Sequence, residues 1–307
     1  MASVLNAKHF QDEKAAYRYV EEHVWPDGPV CPHCGGVERI SKMNGKSTRI
    51  GAYKCYQCRK PFTVKVGTIF EASKVPMHVW LQAIHLLCSS KKGISTNQLH
   101  RILGVHIRTA WFISHRIREA MRSGELAPMG RAGGYVEVDE TFIGNDRTIK
   151  PKGSKKGRGY HHKHKVLSLV ERDTGQKRSM EVDDLKADTL VLVLRENIKR
   201  KTHVMTDEAS HFAHLGEHFT HDFVSHGVGE YGRGEIHTNT LEGAFSIFKR
   251  GMKCVYQHCG KQHLHRYLAE FDFRYNNRIA LGIDDEARAG IALCGIISRR
   301  LTYRDSR

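Results

Sequence analysis

Four cysteines constrain this chain more than any other feature. Cys31-Pro-His-Cys34 and Cys55-Tyr-Gln-Cys58 are two Cys-x-x-Cys pairs with twenty residues between them. Each pair turns two thiolates inward on a tight knuckle. Two knuckles together offer four sulfurs in a tetrahedron, which suits Zn²⁺. Short strand-like segments, Arg39–Lys42 and Tyr53–Cys55, flank them. The spacing therefore predicts a zinc ribbon with Cys31, Cys34, Cys55 and Cys58 as ligands and His33 as a bystander. The competing reading, two redox pairs, lacks the βαβ pattern that would surround them. So small a module has little apolar core, so its folding depends on the ion.

At 307 residues the chain has room for two or three domains. No apolar run approaches the roughly 18 residues of a membrane span, and the N-terminus lacks the pattern of a signal peptide. The expectation is a cytoplasmic, nucleoid-associated protein with reduced thiols and no membrane partner. The 49 Lys+Arg against 33 Asp+Glu give a formal charge of +16. That excess predicts a polyanionic partner, because each phosphate neutralised releases condensed counterions. A merely solvated basic surface is the blander alternative.

The N-terminal half reads as helical around the ribbon. Residues 8–25 carry an apolar stripe of Phe10, Ala15, Ala16, Tyr19 and Val20, closed by Trp25. A second helix spans 76–90. Ser95 or Thr96 can cap a third, short helix that carries Leu99, Ile102 and Leu103. Gly104 sits at the turn, and a fourth helix follows with Ala110, Ile113 and Ile117 inward. Arg108, Thr109, His115 and Arg116 are expected to face outward. This is a helix-turn-helix pattern, and Arg101, Arg108 and Arg116 are its candidate DNA contacts. An ordinary helical hairpin is the alternative. Residues 122–134 read as a linker.

From residue 135 the pattern changes. Tyr135-Val-Glu-Val-Asp139 alternates like a strand and ends on an acid. Residues 147–165 hold eight Lys or Arg and no acid, a flexible basic loop in which Lys152, Lys155, Lys156 and Arg158 are candidate phosphate contacts. Strands follow at 165–171 and 177–182, a helix at 187–200, and a strand at 203–207 that again ends on an acid, Asp207. A helix near 210–219, a strand at 221–225 and helices at 240–253 and 262–276 complete the order, with a last helix from Ile283 packing on the outside. This is the order of an α/β, RNase H-like mixed-sheet domain. In it the first and fourth strands are neighbours, so Asp139 and Asp207 approach each other, and Glu242 on the next long helix can lean over the same end. Three carboxylates at one point suit two Mg²⁺ or Mn²⁺ ions, which can activate a nucleophile and stabilise a leaving oxygen. Glu140 and Glu208 are expected to point away, on the opposite side of their strands. Lys249, two helical turns after Glu242, could contact a phosphate.

The ribbon, Val138-Asp-Glu-Thr141, Val204-Met-Thr-Asp207 and His237-Thr-Asn-Thr-Leu-Glu-Gly-Ala-Phe-Ser-Ile-Phe-Lys-Arg250 together resemble the zinc-ribbon insertion-sequence transposases with an ISXO-type DDE domain. The resemblance reaches from the ribbon to Phe271-Asp-Phe-Arg-Tyr-Asn-Asn-Arg278. It implies binding of double-stranded DNA at terminal inverted repeats and at target sites, metal-dependent end cleavage, and strand transfer. Pairing of two ends implies a homodimer or higher. Asp139 and Asp207 match the first two acid positions. Some relatives carry Asn in the third, and here Asn239 stands one turn before Glu242. Glu242 is preferred, because a carboxylate is the better ligand and Lys249 has the expected offset from it. Asn239 remains a neutral ligand or a helix orienter. The expected division is 1–70 (N-terminal helix and ribbon), 71–125 (helix-turn-helix), 126–282 (catalytic) and 283–307 (helical tail). An RNase H-like nuclease or resolvase, and a non-catalytic zinc-ribbon regulator derived from a transposase, are the other functional readings.

Overall fold

A computed structural model describes residues 3–124, 126–145 and 162–302. The chain divides into two compact units, residues 1–122 with 277–307, and residues 123–276.

In the first unit, Asp12 accepts from the Ala15 amide and starts α1 (Glu13–Val24). The ribbon follows as an antiparallel sheet of β1 (Ile40–Lys42), β2 (Tyr53–Cys55) and β3 (Pro61–Phe62). Its core is small, with Cys31, Cys55 and Phe62 buried against Trp25, Ile40 and Tyr53. Next comes α2 (Met77–Ser89), which buries Trp80, Ile84 and Leu87. Ser95 caps α3 (Thr96–Leu103) by accepting from the Gln98 amide. Gly104 ends that helix at φ +64°, a left-handed conformation that glycine adopts without steric cost. Then α4 (Ile107–Ala120) begins. Leu99 is fully buried as expected, whereas Ile102 is half exposed.

One expectation fails in this unit, because α4 is enclosed over its second half. Arg116 and His115 are buried rather than outward. The Arg116 guanidinium donates to the carbonyls of Ile69, Glu71 and Leu301 at 2.7–3.2 Å. The C-terminal segment packs one face inward and leaves Glu286, Ile291 and Cys294 exposed on the other. Its helix α8 (Asp285–Cys294) buries Ala292 and Leu293, and Ile296 and Leu301 beyond it are buried too. Arg288 of α8 donates to the Cys88 carbonyl at the end of α2.

The second unit is a five-stranded sheet of β4 (Tyr135–Ile143), β5 (His164–Glu171), β6 (Gln176–Val182), β7 (His203–Asp207) and β8 (Thr220–Val224). The strand order is β6-β5-β4-β7-β8. The first three strands form an antiparallel meander, and β4, β7 and β8 run parallel. This is the RNase H-like mixed sheet. Alternation along β4 divides its residues between two faces. Val136 and Val138 enter a core with Leu167, Leu169 and helix α5 (Ala187–Asn197), through Leu190 and Leu194. On the other face, Val166 and Val170 pack against α6 (Asn239–Arg250) and α7 (Lys261–Asn276). Helix α7 also closes the β6 edge: Asn276 bonds both backbone groups of Lys177, and Asp272 pairs with the Lys177 ammonium at 2.5 Å.

Three local expectations change. The first strand runs four residues past Asp139. Residues 210–219 form two 3₁₀ turns, Ser210–Phe212 and Leu215–Glu217, not a helix. The buried Phe212 and Leu215 are three apart, which matches three residues per turn, and Gly216 interrupts any longer helix. After Arg250, α6 passes into a π-helical turn, Gly251–Tyr256. The basic loop candidates Lys152, Lys155, Lys156 and Arg158 lie outside the described residues.

Candidate active site

The site is built where two parallel strands part. Strands β4 and β7 pair only from Tyr135–His203 to Glu137–Met205. Beyond that point β4 stays bonded to β5 alone, and a mouth opens at the carboxyl end of β7. Crevices of this kind are where open α/β sheets bind ligands. Asp139 and Asp207 stand on its two sides, and their carboxylates come together with that of Glu140. Ligand atoms of the three lie within 4.8 Å of one another. Asp139 accepts the Glu140 backbone amide at 2.7 Å, and Asp207 accepts the Ala209 amide at 3.1 Å.

Glu140 was expected to point away and instead belongs to the cluster. The expectation assumed a flat strand paired on both sides. Once β4 has left β7, that constraint is gone, and His211 at the start of the next 3₁₀ turn holds the Glu140 carboxylate at 3.1 Å. A histidine four residues beyond an acid-ending strand was the only sequence signal for it. Glu208 does stay outside the cluster, where it accepts the Gly227 amide at 2.8 Å. That contact anchors the turn carrying His226.

Glu242 occupies the first turn of α6, close to half exposed, with His226 Nε2 3.3 Å from its carboxylate. It lies outside the tight cluster but near enough for its charge to act on Asp139. Asn239 is exposed at the first position of α6. Lys249 is exposed further along, its ammonium 5.8 Å from the centre of the Phe245 ring, and it lines a cavity of about 540 Å³ with Lys163, His164, Lys253 and Gln257.

Crowded carboxylates leave an electrostatic signature. Burial, then the charges of Glu140, Asp207 and Glu242, push the Asp139 carboxyl up to about 8. Burial also raises Asp207, against the opposing pull of the Ala209 amide; Glu140 adds to the rise, and His211 and His226 oppose it. Asp139 thus feels all three other acids. Without a cation the cluster retains a proton. A hard divalent ion with oxygen ligands relieves the same repulsion, so the donor set fits Mg²⁺ or Mn²⁺.

The second metal centre lies in the ribbon. The ligand atoms of Cys31, Cys34, Cys55 and Cys58 also lie within 4.8 Å of one another, with Cys31–Cys58 at 3.6 Å and Cys34–Cys55 at 3.8 Å. A tetrahedron with Zn–S bonds of about 2.3 Å has edges of roughly 3.8 Å. The four sulfurs therefore fit a structural Zn²⁺, and His33 beside them is exposed. Of the helical DNA candidates, Arg101 and Arg108 are exposed, while Arg116 is spent on internal carbonyls.

A zinc ribbon in one unit and an acid-bearing RNase H-like sheet in the other define a DDE-type transposase architecture. Residues 131–276 match the family described as the ISXO2-like transposase domain, and residues 11–61 match the transposase zinc-ribbon domain. The chain thus carries an ISXO2-like transposase domain and a transposase zinc-ribbon domain. It is 28% identical over 279 residues to an uncharacterized protein in transposable element ISH50 of Halobacterium salinarum, covering 87% of this chain and 92% of that protein. A solved structure, the Mos1 strand transfer complex, is 13% identical and matches 65% of this chain and 77% of its own, with a TM-score of 0.21. Overlap that weak leaves the fold assignment to the strand order and the family match.

Proposed function

We propose that this transposase binds the terminal inverted repeats of its own insertion sequence as double-stranded DNA, cleaves the ends, and transfers the freed strands to target DNA. The carboxylate cluster at the β4–β7 mouth carries the reading. Asp139, Asp207 and Glu242 would hold two divalent ions, and Asp139 is the acid on which the charges of both others act. Bound there, Mg²⁺ or Mn²⁺ would supply Lewis acidity at the phosphodiester and a lowered pKa for the attacking water or 3′-hydroxyl. Glu140, held by His211, completes the negative lining. Lys249 receives a phosphate along the strand path, and Asn239 shapes the first turn of α6.

The helix-turn-helix reads DNA with the exposed N-terminal turn of α4, where Arg108 stands, while Arg101 on α3 meets the backbone. The basic loop with Lys152, Lys155, Lys156 and Arg158 adds salt-dependent affinity. Two ends are held by a homodimer or larger assembly, at the nucleoid in the cytoplasm. Among the described residues no helix is long and apolar enough to cross a membrane.

The test uses purified zinc-loaded protein and DNA carrying the ends that flank its gene. Mg²⁺-dependent nicking at the end, followed by joining to a target plasmid, is expected. Asp139→Asn and Asp207→Asn should bind the same DNA and leave it intact. Nicking without joining would favour the nuclease reading, and undiminished cleavage by either variant would overturn the metal site.

A further inference from the structure

Glu137 is a carboxylate with no exposed surface, yet it takes no part in the acid cluster two residues away. Its partners explain why it is there. One oxygen accepts from Arg172 Nε at 2.7 Å and lies 3.3 Å from His237 Nδ1. The other accepts the Leu241 backbone amide at 3.0 Å. Leu241 is in the first turn of α6, where amides have no partner inside the helix and a negative charge is favoured. Arg172 reaches the same segment: it donates to the carbonyls of Glu235 and His237, and its Nη2 lies 2.8 Å from His237 Nδ1. Arg172 is itself fixed, since its backbone amide donates to the Tyr135 carbonyl and its guanidinium lies 5.8 Å from the Tyr135 ring.

Strand periodicity gives this network its meaning. Glu137 and Asp139 are two apart on β4 and share a face, about 6.7 Å apart along the strand. Leu241 and Glu242 are adjacent on α6, about 100° apart around its axis. With Leu241 tied to Glu137 and its side chain buried with Val170 and Phe245, the helix has one rotational setting. That setting places Glu242 outside the tight cluster but near enough for its charge to act on Asp139.

We propose that Glu137, Arg172 and His237 form a latch that fixes the axial position and rotation of α6, and that Glu137 is thereby a positioning residue for the Glu242 carboxylate at the metal site. The inference rests on the metal-site reading above. Loss of the latch leaves the sheet paired but frees the first turn of α6. Partners behind metal ligands are worth about 10- to 100-fold in affinity, and the latch belongs in that range.

The test is Mn²⁺ titration calorimetry on full-length zinc-loaded protein, with hydrogen exchange as a second readout. Glu137→Gln keeps the fold and an acceptor for Leu241 but removes the ion pair with Arg172. It is expected to weaken Mn²⁺ binding about 10-fold and to speed exchange of the Leu241 and Glu242 amides. Glu242→Gln should weaken binding by at least as much, and the double variant should be no worse than Glu242→Gln alone. Arg172→Lys should give a smaller loss than Glu137→Gln. Additive losses, or wild-type affinity in Glu137→Gln, would overturn the latch. So would a neutral Glu242→Gln. If Asp139→Asn itself keeps Mn²⁺ binding, the metal-site reading has failed and the latch with it. If Asp139→Asn abolishes binding while Glu137→Gln does not, only the latch fails.

Discussion

Asp139→Asn should make the metal-free protein more stable while it destroys the metal site. The wild-type carboxyl is held near 8 instead of its ordinary 3.8. The folded state therefore keeps a proton that the unfolded chain releases. Below pH 3.8 both states are protonated and no penalty exists. Between 3.8 and about 8 the unfolded state binds fewer protons, so stability falls as pH rises, and the penalty is complete above 8. At 1.36 kcal/mol per pH unit the ceiling at pH 7 is about 4 kcal/mol, and sharing of the charge among Glu140, Asp207 and Glu242 brings the expected gain to about 2 kcal/mol. Asparagine retains the oxygen that accepts the Glu140 amide, so little is lost in exchange. The three tryptophans, Trp25, Trp80 and Trp111, all lie in the first unit, so their fluorescence does not report on this one. Native-state hydrogen exchange at the β4 and β7 amides does. In buffer free of Mg²⁺ the variant should gain protection over wild type, with a difference that grows from pH 5 to pH 8. Adding Mg²⁺ at ten times its Kd should stabilise wild type by about 1.4 kcal/mol and the variant not at all. A difference that is flat with pH, or a variant less stable than metal-free wild type, would refute the electrostatic argument.

Cys55→Ser should lower bound zinc from one ion per chain to none, measured by elemental analysis, and unfold β1–β3, because the ribbon core consists of little besides Cys31, Cys55 and Phe62. Arg116→Ala should cost about 3 kcal/mol in urea unfolding followed by tryptophan fluorescence, since three carbonyls lose their donor. Arg108→Ala should leave that midpoint unchanged and weaken DNA binding, as a filter assay will show; the reverse pattern would move the DNA contact to the buried arginine. Asp272→Ala should destabilise the sheet unit by about 3 to 5 kcal/mol, because it strands the Lys177 ammonium against a closed edge. Exchange of the β6 amides measures it, and a change under about 1 kcal/mol would show that the pair is solvated.

Much of the architecture was legible in the chain itself. Strand periodicity placed β5, β6 and β8 to within a residue at each end and β7 at 203–207 without error, but ended β4 four residues early. Cysteine spacing placed the zinc site, and Ser95 and Gly104 marked the ends of α3. These are local matters: a period of two or 3.6, a cap, a knuckle. The order of strands then made Asp139 and Asp207 neighbours. Residues 210–219 were misread because Phe212 and Leu215, three apart, satisfy helical and 3₁₀ spacing alike. Arg116 was misread because a polar residue between apolar ones implies solvent only when a helix has an open side, and α4 has none there.

Asp139 within β4 and the four sulfurs of the ribbon were therefore legible in the sequence alone, since their chemistry follows from residue type and short spacing. Which other carboxylates join Asp139 was decided by the tertiary structure. The parting of β4 from β7 after Glu137 let Glu140 into the cluster, and Glu137, Arg172 and His237 set the helix that presents Glu242. Those contacts join residues about 35 to 104 positions apart. Periodicity is blind at that range, because it reports which face a side chain takes and not what the fold brings to meet it.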